Sequence, residues 1–228
     1  MKYEKIGSEL FKTNRKRLVK ELPKGAIAVF NANDIMPTNA DGNLPFRQNN
    51  DLFYLTGIQQ EESCLVICPD FPDKSLREVL FLREPSEMLE KWEGHKLTKE
   101  EAKDISGVTT VRWNGDFNKV FHHMMVMGGV SSVFLNTNEH YRSSVVVETR
   151  DARFINWCKA TYPLHRYERV APIMAHLRSV KQKREIELMQ DACNITEKGF
   201  RRVLGFVKPG VMEYEIEAEY LHEFVRNR

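Results

Sequence analysis

The sequence predicts an α/β fold through about residue 165, a mixed β-sheet flanked by helices. Two observations point to it. Short runs rich in β-branched and aromatic residues recur: AIAVF (26–30), SCLVICP (63–69), EVLFLRE (78–84), VTTVRW (108–113) and SVFLN (132–136). Between them lie segments whose apolar residues follow the helical spacing. The bulk composition fits: 42% of the 228 residues are hydrophobic and 29% charged, enough apolar material to bury a core without disulfide staples.

Each element has its own local signal. In residues 5–22, Ile6, Leu10, Phe11, Leu18 and Leu22 mark one face of a helix, and the basic run KTNRKRLVK (12–20) reads as its solvated face. Pro23-Lys24-Gly25 breaks that helix before the first strand, and 31–45 is loop by composition. LFYLTG (52–57) reads as a further strand. Pro69-Asp70-Phe71-Pro72-Asp73 is a hairpin-like connection. Thr98-Lys99-Glu100-Glu101 is a capping box that opens a short helix, and Gly107 ends it. Phe117, Val120, Phe121, Met124 and Met125 form a core-facing helical stripe closed by Gly128-Gly129. A helix over 150–161 stops near Pro163.

The character changes near His176. Residues 182–207 read as one long helix with Ile186, Met189, Cys193, Phe200, Val203 and Leu204 along a stripe. Lys208-Pro209-Gly210 interrupts it, and 213–226 begins another helix. Nothing after residue 176 closes a core around these two helices, so a second, incomplete domain is expected.

Charge and motifs exclude several functions. Lys plus Arg number 34 against 32 Asp plus Glu, a net +2, which argues against nucleic acid or membrane partners. The N-terminus lacks an apolar signal core, and a cytoplasmic protein is expected. Cys64, Cys68, Cys158 and Cys193 make no disulfide framework and read as inert core thiols. His122 and His123 are adjacent, so on a helix they diverge. His222-Glu223 starts a helical zinc motif, but Arg226 stands at the second ligand position. His95, His140, His165 and His176 have no carboxylate, Cys or His partner at ligand spacing. No nucleophile elbow or phosphate loop is present. No catalytic residue or metal ligand is therefore assigned within the chain.

Two stretches resist a purely structural reading. FRQNND (46–51), with Asp41 upstream, is a polar loop feeding straight into an apolar run. Arg47 and Asp51 in it either face a ligand or pair with each other. Trp92, between Lys91 and Glu93, is either a rigid surface for something to pack against or a side chain folded back on its own domain.

FRQNNDLFYLTG followed by EESCLVI resembles the N-terminal domain of Xaa-Pro aminopeptidases (aminopeptidase P), in the creatinase/prolidase pita-bread metallopeptidase superfamily. Arg83 with Trp92 and Gly94 resembles that domain's next segment. From Leu177 the chain resembles the opening of the family's catalytic domain, at Arg178, Lys181, Glu185-Ile186, Ala192, Pro209-Gly210, Glu213-Tyr214 and His222-Glu223-Phe224. It departs at Asn50, where Ser is common, and at Met212, where Thr is common. The resemblance implies an N-terminal domain over 1–175 and, over 176–228, the first two helices of an incomplete pita-bread α+β domain. It implies a parent enzyme that releases the first residue of peptides with proline second, using two divalent ions, usually manganese. It places their ligands after Arg228, so these residues alone are expected to be inactive. It puts Trp92, Asp41 and Arg47 at the rim of the substrate site and implies a homo-oligomer, a dimer or tetramer. A metal-free peptidase-like binding module and a prolidase-type dipeptidase are the alternatives.

Overall fold

In the computed structural model, which describes residues 5–137, 139, 142 and 144–227, the chain divides into compact units at the Arg178/Ser179 boundary. In the unit Ile6–Arg178, six strands form one mixed sheet of order β4-β3-β2-β1-β5-β6. They are β1 (Ala26–Asn31), β2 (Cys64–Ile67), β3 (Glu78–Leu82), β4 (Thr110–Trp113), β5 (Ser132–Leu135) and β6 (Arg166–Arg169). β1 pairs antiparallel with β2, as β2 does with β3, while β1–β5, β3–β4 and β5–β6 are parallel. Every residue of β1, β2 and β5 is buried, which is why they read as unbroken apolar runs rather than alternating ones. β6, RYER, is a charged edge strand with no apolar run, and the sequence reading passes over it.

Alternation along β1 divides the core. Ala28 and Phe30 face one side, with Leu65, Ile67, Leu80 and Leu82. That layer is covered by α1 (Ser8–Glu21), α2 (Asn50–Thr56), α4 (Lys99–Ser106) and α7 (Ala171–Ser179). Ile27 and Val29 face the other side with Cys64, Val66 and Phe81, under α5 (Phe117–Met127) and α6 (Arg150–Thr161). The expected capping box of α4 is present, with Gly107 left-handed at its end.

Three expectations are corrected. Residues 52–57 are not a strand but most of α2. Asn49 caps that helix, its Oδ1 accepting from the Asp51 and Leu52 amides at 2.9 and 3.3 Å. Gly57, at φ 70°, closes it and donates to the Phe53 carbonyl at 2.7 Å. The capping residues outweigh the strand preference of Phe53 and Tyr54. The run 12–20 is not wholly solvated either. Arg15 is 1% exposed and ties three elements together, donating to Glu78 at 2.8 Å and to the Leu55 and Ser106 carbonyls at 2.7 and 2.9 Å. Its charge is buried because its donors are matched. Lastly, Cys193 is exposed, while Cys64, Cys68 and Cys158 are buried free thiols. Burial raises the Cys64 thiol to about 12 and Cys68 to about 11, which keeps them protonated.

The second unit holds α8 (Lys183–Phe206) and α9 (Glu213–Arg226). Each opens with a glutamate reaching back, Glu185 to the Gln182 amide and Glu215 to the Met212 amide, both at 2.8 Å. Gly199 lets Tyr220 approach, since a Cβ there would lie 2.9 Å from the ring. Gly199 is the one buried residue of α8, and α9 has none; Ile186, Met189 and Phe224 remain exposed. Among the described residues no helix is long and apolar enough to cross a membrane.

Candidate functional site

A cleft of about 920 Å³ opens where the parallel strands β1 and β5 end, the usual place for a site in an α/β sheet. Its walls are the loop after β1, the start of α2, the start of α6, and α7. Three aspartates organise it. Asp51 accepts from Arg178 at 2.8 Å and from Asn136 at 2.9 Å. Asp34 accepts from the Arg150 amide at 2.8 Å and from the Arg153 guanidinium at 2.5 Å. Asp151 accepts from Asn31 at 3.0 Å. Burial pushes the Asp151 carboxyl up to about 6; Asn31 and Arg150 oppose the rise, and the charges of Asp51 and Asp34 add to it.

This settles what the polar loop does internally. Asp51 pairs with Arg178 rather than with Arg47. Gln48 is structural, its amide donating to the Gln60 carbonyl at 2.9 Å and to Ser63 at 3.0 Å. Asn49 is the helix cap. Arg47 lines the cleft with an exposed side chain, while its carbonyl accepts from Asn33 at 3.0 Å.

Asp41 and Trp92 do not join Arg47 in the cleft. Asp41 is exposed at the tip of a small two-armed loop, closed by the Pro37–Asn43 bridge and by Thr38 donating to the Gly42 carbonyl at 2.8 Å. Trp92 sits on α3 (Glu87–Glu93), which follows β3 on the opposite half of the sheet from β5. It is 78% exposed, so it does not fold back on the sheet. Near α3 lies a charged cluster that sequence reasoning missed. Lys96, 7% exposed, reaches Glu61 at 2.5 Å and Glu93 at 3.1 Å, and Arg83 reaches Glu93 at 3.1 Å. No local signal could reveal it, because Glu61 and Lys96 stand 35 residues apart.

The histidines behave largely as side-chain packing demands. His122 lies 3.1 Å from the Tyr162 hydroxyl, and His123 meets the Phe71 ring edge-on. His95 is an exposed histidine satisfied by two carboxylates, Glu90 at 3.3 Å and Glu101 at 3.0 Å. His140 lies outside the described residues. Among those residues no group of three or more His, Cys, Asp or Glu side chains could hold a metal ion.

Residues 11–134, more than half of the chain, match the family model described as the aminopeptidase P N-terminal domain. The chain belongs to that family. Its similarity to the Xaa-Pro aminopeptidase of Escherichia coli is 26% identity over 236 residues, covering 97% of this chain and 50% of that protein. With the Xaa-Pro aminopeptidase of Haemophilus influenzae it shares 26% over 227 residues, 98% of this chain and 49% of that one. Among solved structures, a candidate aminopeptidase P from Bacillus anthracis superposes with a TM-score of 0.84 at 26% identity, covering 96% of this chain and 51% of that one. A low-pH form of Escherichia coli aminopeptidase P gives a TM-score of 0.77 at 26% identity over 98% of this chain and 50% of that one. The chain of this family member thus spans about half the length of the relatives it matches.

Proposed function

We propose that this chain is the N-terminal region of a metal-dependent Xaa-Pro aminopeptidase, an enzyme that removes the first residue of peptides with proline second. The observation that carries the reading is similarity along nearly the whole chain to proteins of that name, at about half their length. Residues 1–228 supply a substrate-site rim, with Arg47, Asp41 and Trp92 as its side chains, and part of the contact surface of a homo-oligomer. The metal ligands lie outside these residues, on polypeptide that holds two divalent ions, manganese by preference. When bound, the ions would polarise the scissile carbonyl and activate a water. The exposure of Trp92 and Asp41 supports the rim role, since neither side chain is used up in the core. A cytoplasmic setting fits the buried free thiols Cys64, Cys68 and Cys158.

The test is hydrolysis of an Xaa-Pro-Xaa tripeptide with Mn²⁺ by two preparations. Residues 1–228 should show no turnover, and the catalytically complete polypeptide should turn over. There Trp92→Ala should lower kcat/KM about tenfold while shifting the urea midpoint by less than the equivalent of about 0.5 kcal/mol. Turnover by residues 1–228 would sink the assignment of the ligands. Binding of peptides without turnover by the complete polypeptide would favour a binding module.

A further inference from the structure

α3 is held to the sheet in an unusual way. It spans seven residues and buries none of them. Leu89 is half-buried but belongs to neither core cluster, and Met88 and Trp92 are 75% and 78% exposed. A helix this short has little stability of its own, and elsewhere in this unit the helices are held by apolar burial. Ions hold α3 instead. At its last turn Glu93 receives Arg83, from the end of β3, and Lys96, each at 3.1 Å. Lys96 also reaches Glu61 at 2.5 Å; Glu61 is 9% exposed, so the pair is fixed in direction. Glu90 accepts from the Lys96 amide at 3.3 Å, and the next amide, Leu97, donates to Gln60 at 2.7 Å while its side chain packs on the core. Trp92 precedes Glu93 by one residue, so what holds Glu93 also holds the stretch of backbone that carries the indole.

We propose that Lys96, paired with Glu61 and Glu93, is a positioning residue: it clamps α3 to the sheet and so presents the Trp92 indole in one orientation to bound peptide. The peptide half of this statement rests on the reading of Trp92 given under Proposed function; the clamp does not. Without the clamp, only the half-buried Leu89 would be left to hold α3 in place. Trp92 would then sample many orientations, and ordering it would cost binding energy.

Two measurements separate the halves. Hydrogen exchange is followed in the complete polypeptide for the Glu90 and Gly94 amides, which close α3 onto the Ser86 and Glu90 carbonyls. In the double variant K96M/E61M, which leaves neither charge buried alone, these amides should exchange at least tenfold faster while β1 and β2 amides do not change. E93Q removes a half-exposed partner at less risk to folding, and it should speed the same amides about threefold. Unchanged α3 exchange in both variants overturns the clamp. Kinetics with a Xaa-Pro-Xaa peptide read the second half. K96M/E61M and W92A should each raise KM at least threefold, and the triple variant should be no worse than either, since one acts through the other. Multiplying effects would overturn positioning through Trp92. A silent W92A would overturn the role of the indole and leave the clamp to stand or fall by exchange.

Discussion

Asp151 shows how one side chain carries the tension of the cleft. Its carboxyl is raised from the usual 3.8 to about 6, chiefly by burial. Below about pH 4 it is protonated whether the chain is folded or not, and it costs nothing. Between these values the unfolded chain gives up the proton while the folded chain still holds it, so stability falls as pH rises. Above about 6 the buried group is ionised in the folded chain as well, and the loss is complete. Asp151→Asn keeps an oxygen for the Asn31 amide but cannot ionise. It should therefore stabilise the protein at pH 8 by up to about 3 kcal/mol and by almost nothing near pH 4. Urea midpoints at the two pH values check this, and a gain of equal size at both would show that charge is not the cause. Little of this was legible beforehand. The sequence places Asp151 in a first helical turn, where a carboxylate is ordinarily favoured. Only the fold brings Asp51 and Asp34 near enough to oppose it.

Elements were legible where burial and local signals agree. The five apolar runs became β1 to β5 because each fills a layer. The helix of 150–161 emerged with those bounds because Thr149 caps it, accepting from the Ala152 amide at 3.2 Å. The failures have local causes. β6 is stabilised by pairing with β5 rather than by its own apolar residues, so it carried no pattern. The aromatic residues of α2 favour a strand, and the caps Asn49 and Gly57 that flank it decide for the helix. Gly57 is the sharper of the two. Its φ of 70° disfavours any other residue, and a Cβ would stand 2.4 Å from the Phe11 ring of α1. Gly57→Ala should cost about 2–4 kcal/mol, against about 1 kcal/mol for Asn49→Ala, read from denaturant midpoints. A smaller loss at Gly57 than at Asn49 would mean that the α1–α2 contact yields freely. The candidate site was legible only in part for the same reason. Arg47 could be picked out as a polar side chain beside a buried element, whereas the Lys96–Glu61 pair joins distant segments that no window of sequence compares.

At the scale of the whole molecule, stability should be unequal between the two units. In Ile6–Arg178 a fully buried β1 is packed on both faces, and Arg15 binds α1 to β3, α2 and α4 from within. The other unit has no comparable layer. α8 and α9 meet at Gly199 and Tyr220, with the Phe200 and Tyr220 rings 6.5 Å apart, and Arg202 pairs with Glu219 and Glu223. These are rim-like contacts, and ion pairs at the surface add little to stability. A helix of 14 residues such as α9 is marginal in water without an apolar face to bury. Local opening should therefore cost far less in α9 than global unfolding costs in the sheet. Native-state hydrogen exchange on residues 1–228 should find β1, β2 and β3 amides opening only with global unfolding. Amides of Glu213–Arg226 should open at least a hundredfold more often, with α8 between them. Because α9 depends on α8 for its contacts, Tyr220→Ala should speed exchange in both helices and leave β1 untouched. Protection of α9 equal to that of β1 would mean that the exposed faces of Ile186, Met189 and Phe224 are covered in solution, by a second copy of the chain or by more of the polypeptide.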